Sequence, residues 1–175
     1  MKRYLFYLIK FIAILAKALF GRFAYMTLFT FALKQRGVSF TGTPRYIDHD
    51  AYIDAEGGLS IGNNVVVSTR AIILTHDYSY TTGLEVIGER PDTDIEIRLP
   101  VKISNNVFIG SGAIILPGAT IEDNVIIGAG ALVRGLIKSN SVIVGNPGQY
   151  LCDIKEWIAK KKQNTNHSQF FKDKK

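Results

Sequence analysis

Residues 103–133 read ISNNVFIGSGAIILPGATIEDNVIIGAGALV, and an aliphatic side chain stands at every sixth position: Ile103, Ile109, Ile115, Ile121, Ile127 and Val133. Gly110 and Gly128 follow two of these directly, and Gly118 and Gly130 stand at other points of the repeat. Upstream, Ile61, Val67 and Ile73 hold the same spacing, as do Ile47 and Ile53. The register slips by two at Glu56-Gly57-Gly58, which reads as an enlarged turn. A period of six is neither the 3.6 of a helix nor plain strand alternation, although it is a multiple of two. It suits a parallel β-helix, in which short strands and tight corners wrap a narrow core. One aliphatic per hexapeptide then points inward and stacks on its equivalents in the neighbouring coils, and glycine relieves strain where the chain bends. A β-sandwich would need longer strands and hairpin turns such as Asn-Gly, which this sequence lacks.

Four runs extend the pattern: Val107-Phe108-Ile109-Gly110-Ser111, Pro117-Gly118-Ala119-Thr120-Ile121, Ile127-Gly128-Ala129-Gly130 and Val144-Gly145-Asn146-Pro147. On these the chain, over about residues 45–150, resembles the hexapeptide-repeat O-acetyltransferases. The likeness is to the branch that acetylates sugars and polysaccharides, similar to maltose and galactoside acetyltransferases. The resemblance implies an all-β, left-handed parallel β-helix; the left hand comes from the family alone, since parallel crossovers are generally right-handed. It also implies acetyl-CoA as acyl donor without a metal, a sugar or polysaccharide acceptor, and a homotrimer with active sites between adjacent β-helices.

The repeat stops after Ile73 and resumes at Ile103, because Ser79, Glu85 and Pro91 fall where aliphatics are required. Residues 75–100 are therefore expected to leave the coil as a loop, and a structureless stretch that long is usually functional. At its start stands Thr75-His76-Asp77-Tyr78. An alcohol is a weak nucleophile at neutral pH, and a neutral imidazole is well matched to take its proton during attack on a thioester. His76 begins the loop where the resembling enzymes carry their catalytic histidine, so it is expected to act as general base, with Tyr78 beside the acceptor. Asp48 occupies the place where similar enzymes hold the acceptor with Asn. It is expected either to bind sugar hydroxyls or to orient His76 across a subunit boundary, a solvated turn aspartate being the plainer alternative. By resemblance the amide of Ser111, one coil above the histidine, stabilises the oxyanion. Ala129, one coil further, lines the pantetheine arm. The family's usual Thr-Lys-Asp-like run is replaced here by Arg134-Gly135-Leu136. Arg134 and Lys138, with Lys155 next, are the candidates for the coenzyme A phosphates, against the plain reading of solvated charges.

The chain of 175 residues carries a net charge of +6 and a single cysteine, Cys152. No intramolecular disulfide is possible, which suits a reducing compartment. The charge is unevenly spread. Residues 1–36 hold seven basic and no acidic side chains, residues 155–175 hold seven lysines against Glu156 and Asp173, and residues 37–154 are left with −6. An acidic body with basic ends argues against nucleic acid, which needs a basic stripe on the folded surface. From Tyr4 to Leu33 the chain is mostly apolar and aromatic, but its longest uncharged run, Phe23–Leu33, has eleven residues and falls short of a membrane span. Arg3, Lys10 and Lys17 recur every seventh residue, on one face of a helix. Such a helix either lies in a bilayer interface through residues 1–33 or packs against another subunit.

The expected organisation is an N-terminal amphipathic helical segment (1–36), the β-helix (37–148) with its inserted loop (75–100), a C-terminal helix (149–162) and a basic polar tail (163–175). The protein is expected in the cytoplasm, or peripherally on the cytoplasmic face of the membrane. Two other uses of the fold stand as alternatives. A zinc carbonic anhydrase needs three histidines on the metal, and no His-x4-His pair exists here. A non-catalytic assembly module needs no histidine at the mouth of a loop.

Overall fold

The structure, a computed structural model, describes residues 2–164. The six-residue rhythm folds into a left-handed parallel β-helix of roughly five coils with three flat faces. The first face stacks Val38–Phe40, Leu59–Ile61, Val101–Ile103, Thr120–Ile121 and Leu136–Ile137. The second stacks Tyr46–Ile47, Val66–Val67, Phe108–Ile109, Ile126–Ile127 and Ser141–Val144. The third stacks Tyr52–Ile53, Ile72–Ile73, Ile114–Ile115 and Leu132–Val133. Every aliphatic of the six-residue series between Ile47 and Val133 is buried.

The expectation of one inward side chain per hexapeptide is incomplete. Val101, Val107, Ala113, Ala119, Val125 and Ala131, each two residues before a series member, are buried as well. Strand alternation turns residues i and i−2 to the same side. The second position lies at a corner, where the prism is narrowest; it holds Val or Ala throughout residues 101–131 and Leu at position 59.

Most corners turn through a left-handed residue. Between the first and second faces these are Asn64, Asn106, Asn124 and Asn140, all with φ between 55° and 60°. Asn tolerates this region better than other chiral residues, and here it does more. The Nδ2 of Asn64, Asn106 and Asn124 each donates to the Oδ1 of the next asparagine up, at 2.8–3.0 Å, forming a continuous ladder along one edge.

α1 (Lys2–Gln35) is not one rod. Gly21 sits at φ 81°, and the Arg36 guanidinium lies 4.8 Å from the Phe6 ring. An unbroken helix would hold those residues about 45 Å apart, so the segment is a helical hairpin reversing at Gly21. Its second half closes the lower end of the prism: Tyr25, Phe29, Ala32 and Leu33 are buried in the common core. The Tyr25 hydroxyl donates to the Ile47 carbonyl at 2.7 Å, and burial pushes that phenol well above its usual range. Lys17, on the basic face, meets the protein's own first coil. Lys10 and Lys17 are half-buried, and Lys17 Nζ donates to Tyr46 Oη at 2.8 Å while lying over the Tyr25 and Tyr46 rings. Two aromatic faces and a phenol oxygen replace much of the ammonium's hydration.

Two further expectations are corrected. The excursion after Ile73 is not structureless: His76–Asp77 pairs antiparallel with Ile97–Arg98, and α2 (Ser79–Val86) lies between. The C-terminal helix does not begin at residue 149. Gln149–Asp153 forms a strand antiparallel to Ser141–Val144, covering the upper edge of the second face, and α3 (Ile154–Asn164) follows. Trp157 then lies beside Asn106, Phe108 and Ile126 on the outside of that face, so α3 does not cap the last coil. Of the polar tail, residues 165–175 lie outside the described residues.

Ile103→Ala removes a side chain with 2% exposure and should lower the unfolding free energy by about 2–5 kcal/mol. Lys102→Ala, its outward neighbour in the same strand, should change it by no more than about 0.5 kcal/mol. Urea unfolding followed by circular dichroism checks both.

Candidate active site

The slip at Glu56-Gly57-Gly58 has a structural purpose. Asp54 follows the inward Ile53 directly and is 3% exposed, at the corner between the third and first faces. Its Oδ1 accepts from the Glu56 amide at 3.0 Å. Its Oδ2 accepts from the Thr75 amide at 2.8 Å, from the Thr75 hydroxyl at 2.5 Å and from His76 Nδ1 at 2.7 Å. Thr75 Oγ1 in turn accepts from the Gly57 amide at 2.9 Å. A Cβ on Gly57 would stand 2.0 Å from the Thr75 carbonyl oxygen, so the turn closes on Thr75 only with glycine there. Burial alone would raise the Asp54 pKa, but the hydrogen bonds from Glu56, Thr75 and His76 outweigh it and hold the carboxyl below its ordinary value.

An ionised carboxylate only accepts, so Nδ1 of His76 carries a proton and Nε2 keeps its lone pair. The ring is partly open, with 23% of its side-chain surface accessible. Around it, Glu96 Oε2 accepts from the Arg98 guanidinium at 2.8 Å, while the buried Glu96 Oε1 lies 3.9 Å from His76 Nδ1 without a hydrogen-bond partner among the described residues. Tyr78 meets the imidazole edge-on at 5.8 Å, and Glu96 beside it pushes its phenol up. The excursion is pinned at both ends: the Leu99 amide donates to the Thr75 carbonyl at 2.9 Å, and the Ile95 amide to Thr81 Oγ1 at 2.7 Å. Glu56, His76 and Glu96 lie close enough to share a cation. Arg98, 2.8 Å from Glu96 and 3.7 Å from Glu56, already supplies positive charge there, and Asp54 already engages Nδ1.

The remaining candidates fall on other edges. Strand register places His49, Thr69, Ser111 and Ala129 in one column, at the corner between the second and third faces. The Ser111 carbonyl accepts from Gly130, but among the described residues the N–H groups of Ser111 and Ala129 donate to nothing. A Cβ on Gly110 would lie 2.5 Å from the Ala129 amide nitrogen, so glycine there keeps adjacent corners tightly stacked. This edge therefore presents two unused amide donors flanked by small side chains. Ser111 is in the coil above His76, yet at the opposite end of the third face, roughly 16 Å away by strand rise. The expected vertical pairing of the two does not exist within one chain.

Asp48 stands on the Ser111 edge as well. It accepts from the Asp50 amide at 2.9 Å and from Tyr46 Oη at 3.0 Å, which ties it through Tyr46 to Lys17. In its own chain it makes no contact with His76; Asp54 does. Arg134 is exposed on the His76 edge, three coils above Asp54, whereas Lys138 is on the third edge, beside the asparagine ladder. Lys138 therefore belongs with neither half of the site. Lys155 is exposed at the start of α3, its amide donating to Asp153. Asp54 was not among the sequence candidates. Its signal was a carboxylate immediately after an inward aliphatic, just where the register slips.

Comparison with known proteins completes the picture. The family model "Bacterial transferase hexapeptide (six repeats)" matches residues 100–135. A Dictyostelium discoideum protein named as an acetyltransferase is 30% identical over 128 residues, covering 65% of this chain and 67% of that protein. The crystal structure of a maltose O-acetyltransferase from Clostridium difficile is 30% identical with a TM-score of 0.54, over 73% of this chain and 75% of that one. A galactoside acetyltransferase in complex with coenzyme A, 22% identical, shares the fold with a TM-score of 0.59 over 98% and 86% of the two chains. Three further curated relatives, from Saccharomyces cerevisiae, Schizosaccharomyces pombe and Staphylococcus aureus, are 33–37% identical, and the chain spans 41–61% of their length.

A carboxyl with a lowered native pKa stabilises the fold above its unfolded value and loses that contribution as pH falls through the native value. For Asp54, whose ordinary value is 3.8, the loss should come on acidification below that point. In urea titrations across the acid range, Asp54→Asn should flatten this part of the stability curve.

Proposed function

The chain belongs to the hexapeptide-repeat family of left-handed β-helix transferases, and from that premise we propose that it moves an acetyl group from acetyl-CoA to a sugar hydroxyl. The single observation that carries the reading is the Asp54–His76 pair, with Nδ1 occupied and Nε2 free at the mouth of the excursion. Nε2 takes the proton from the acceptor hydroxyl as its oxygen attacks the thioester carbonyl. Asp54 holds the ring in the required tautomer and stabilises the imidazolium that forms, the role a buried carboxylate plays toward a catalytic histidine elsewhere. The tetrahedral oxyanion accepts from the free Ser111 amide. When it collapses, the C–S bond breaks, the imidazolium returns its proton to the departing thiolate, and the products are the acetyl ester and coenzyme A.

His76 and Ser111 occupy different edges of one prism, so one complete site draws on two chains. A homotrimer with the His76 edge of each chain against the Ser111 edge of the next satisfies this. Asp48, on the Ser111 edge, then faces the neighbour's histidine, where it can bind acceptor hydroxyls alongside Tyr78. Ala129 flanks the pantetheine arm and Arg134 is the remaining candidate for the coenzyme A phosphates. The acceptor we favour is the sugar of a surface-polysaccharide or glycolipid precursor, and the compartment is the cytoplasm, where acetyl-CoA is made. A carbonic-anhydrase site is disfavoured because it needs three histidines on the metal, and His49, His76 and His167 include no His-x4-His pair. A pure assembly module has no use for a buried carboxylate ordering a half-open imidazole.

Thiol release from acetyl-CoA with a panel of free, nucleotide-linked and lipid-linked sugars tests the chemistry. His76→Ala should lower turnover by about 10²–10⁴-fold. Asp54→Asn should lower it by about tenfold or more and shift the pH profile. Equal activity of wild type and His76→Ala would overturn the mechanism. Shared sites make a further prediction: His76→Ala and Ala129→Trp, each inactive alone, should regain activity when refolded together, because mixed trimers contain sites with both halves intact.

A further inference from the structure

The helical hairpin leaves a surface that neither the β-helix nor the transfer chemistry uses. On the first half of α1, Leu8, Phe11, Leu15 and Leu19 recur at helical spacing and are 48–74% exposed. At the reversal Phe20 and Phe23 stand 75% and 86% exposed on either side of Gly21 and Arg22. Immediately beside this tip a groove runs between the second half of α1 and the first coil. It is lined by the apolar Phe23, Met26 and Phe40 and by three cations, Arg22, Lys34 and Arg45, with no acidic side chain among its lining residues. No Asp or Glu occurs before Asp48, and that one is tied to Tyr46 and the Asp50 amide.

We propose that the hairpin tip and this groove form a docking surface for an anionic phospholipid bilayer. The apolar stripe and the two tip phenylalanines enter the boundary between headgroups and acyl chains, and the groove's cations meet lipid phosphates. Charge decides between this occupant and a second copy of the chain. Two such surfaces face to face would set Arg22, Lys34 and Arg45 against their equivalents with no carboxylate to answer them, whereas an anionic bilayer supplies the missing charge. Geometry decides how the segment meets the bilayer. By length and composition, residues 4–35 are long and apolar enough to cross a membrane. The chain reverses at Gly21, however, and Tyr25, Phe29 and Leu33 are buried in the end of the prism. The hairpin therefore lies on the membrane and does not span it. Lys17 does not take part, being turned onto Tyr25 and Tyr46. The inference is independent of the transfer reaction.

Flotation of the full chain with vesicles tests it, using phosphatidylcholine alone and phosphatidylcholine mixed with phosphatidylglycerol. The protein should float with the mixed vesicles, less with the neutral ones, and less again at high salt. Phe20→Ser with Phe23→Ser should cut partitioning by about tenfold or more. Arg22→Gln and Arg45→Gln should each weaken it about fivefold on anionic vesicles only. All four side chains are exposed, so melting temperatures should be unchanged, and Leu15→Ser gives a second apolar variant away from the reversal. Flotation with neither vesicle, or equal flotation of wild type and the phenylalanine variants, would overturn the proposal. So would light scattering showing that Phe20→Ser breaks a larger oligomer, since the surface would then belong to another copy of the chain.

Discussion

The narrowness of the triangular prism governs everything else in this protein. Most hexapeptides contribute two inward side chains, one large aliphatic at the centre of the face and one smaller residue, usually Val or Ala, at its edge. Interiors pack at crystal-like density, so a face cannot lengthen or shorten by one residue without voids or overlap. The coil then has only one way to add residues, which is to expel them at a corner. The two largest expulsions, the widened turn after Ile53 and the long excursion after Ile73, leave at the same corner, one above the other. The catalytic candidates lie where the packing rule is suspended.

That stacking explains why a carboxylate and a histidine twenty-two residues apart become hydrogen-bonded. Asp54 sits one coil below Leu74, and Thr75 steps outward over the widened turn with both its amide and hydroxyl on Asp54. The same contacts that begin the excursion orient the imidazole. Stability and chemistry are therefore coupled at this corner: the hydrogen bonds that lower the Asp54 pKa also fix the tautomer of His76. The edge bearing Ser111 is built on the opposite economy. Its glycines and small residues let coils approach closely and leave backbone donors free, with no side chain required to act.

Much of this was legible in advance. The six-residue spacing marked the centre-of-face aliphatics, and the broken register between Ile73 and Ile103 marked the excursion with His76 at its mouth. The second inward column was hidden because Ala and Val are common everywhere and carry no periodic contrast against a hydrophobic background. The asparagine ladder was equally quiet, since Asn64, Asn106, Asn124 and Asn140 are spaced by 42, 18 and 16 residues and align only once the excursion is removed. For the N-terminal segment, the spacing of Arg3, Lys10 and Lys17 left a bilayer interface and another subunit both open, and it did not register the reversal at Gly21. The rings of Tyr25 on the returning half of α1 and Tyr46 on the first coil, which local spacing does not register, bring Lys17 inward.

The sequence by itself determined the coil, because a repeat of two-residue strands stores its instructions locally: each hexapeptide carries its own core residue and its own bend. It also marked His76, because an interruption in a regular pattern is visible without knowing what surrounds it. Only the tertiary structure decided which carboxylate serves the histidine, and that Ser111 lies on a different edge from it. It alone showed that α1 doubles back beneath the prism. Each of those depends on which residues coils and corners bring together, and such contacts join positions with no fixed separation along the chain.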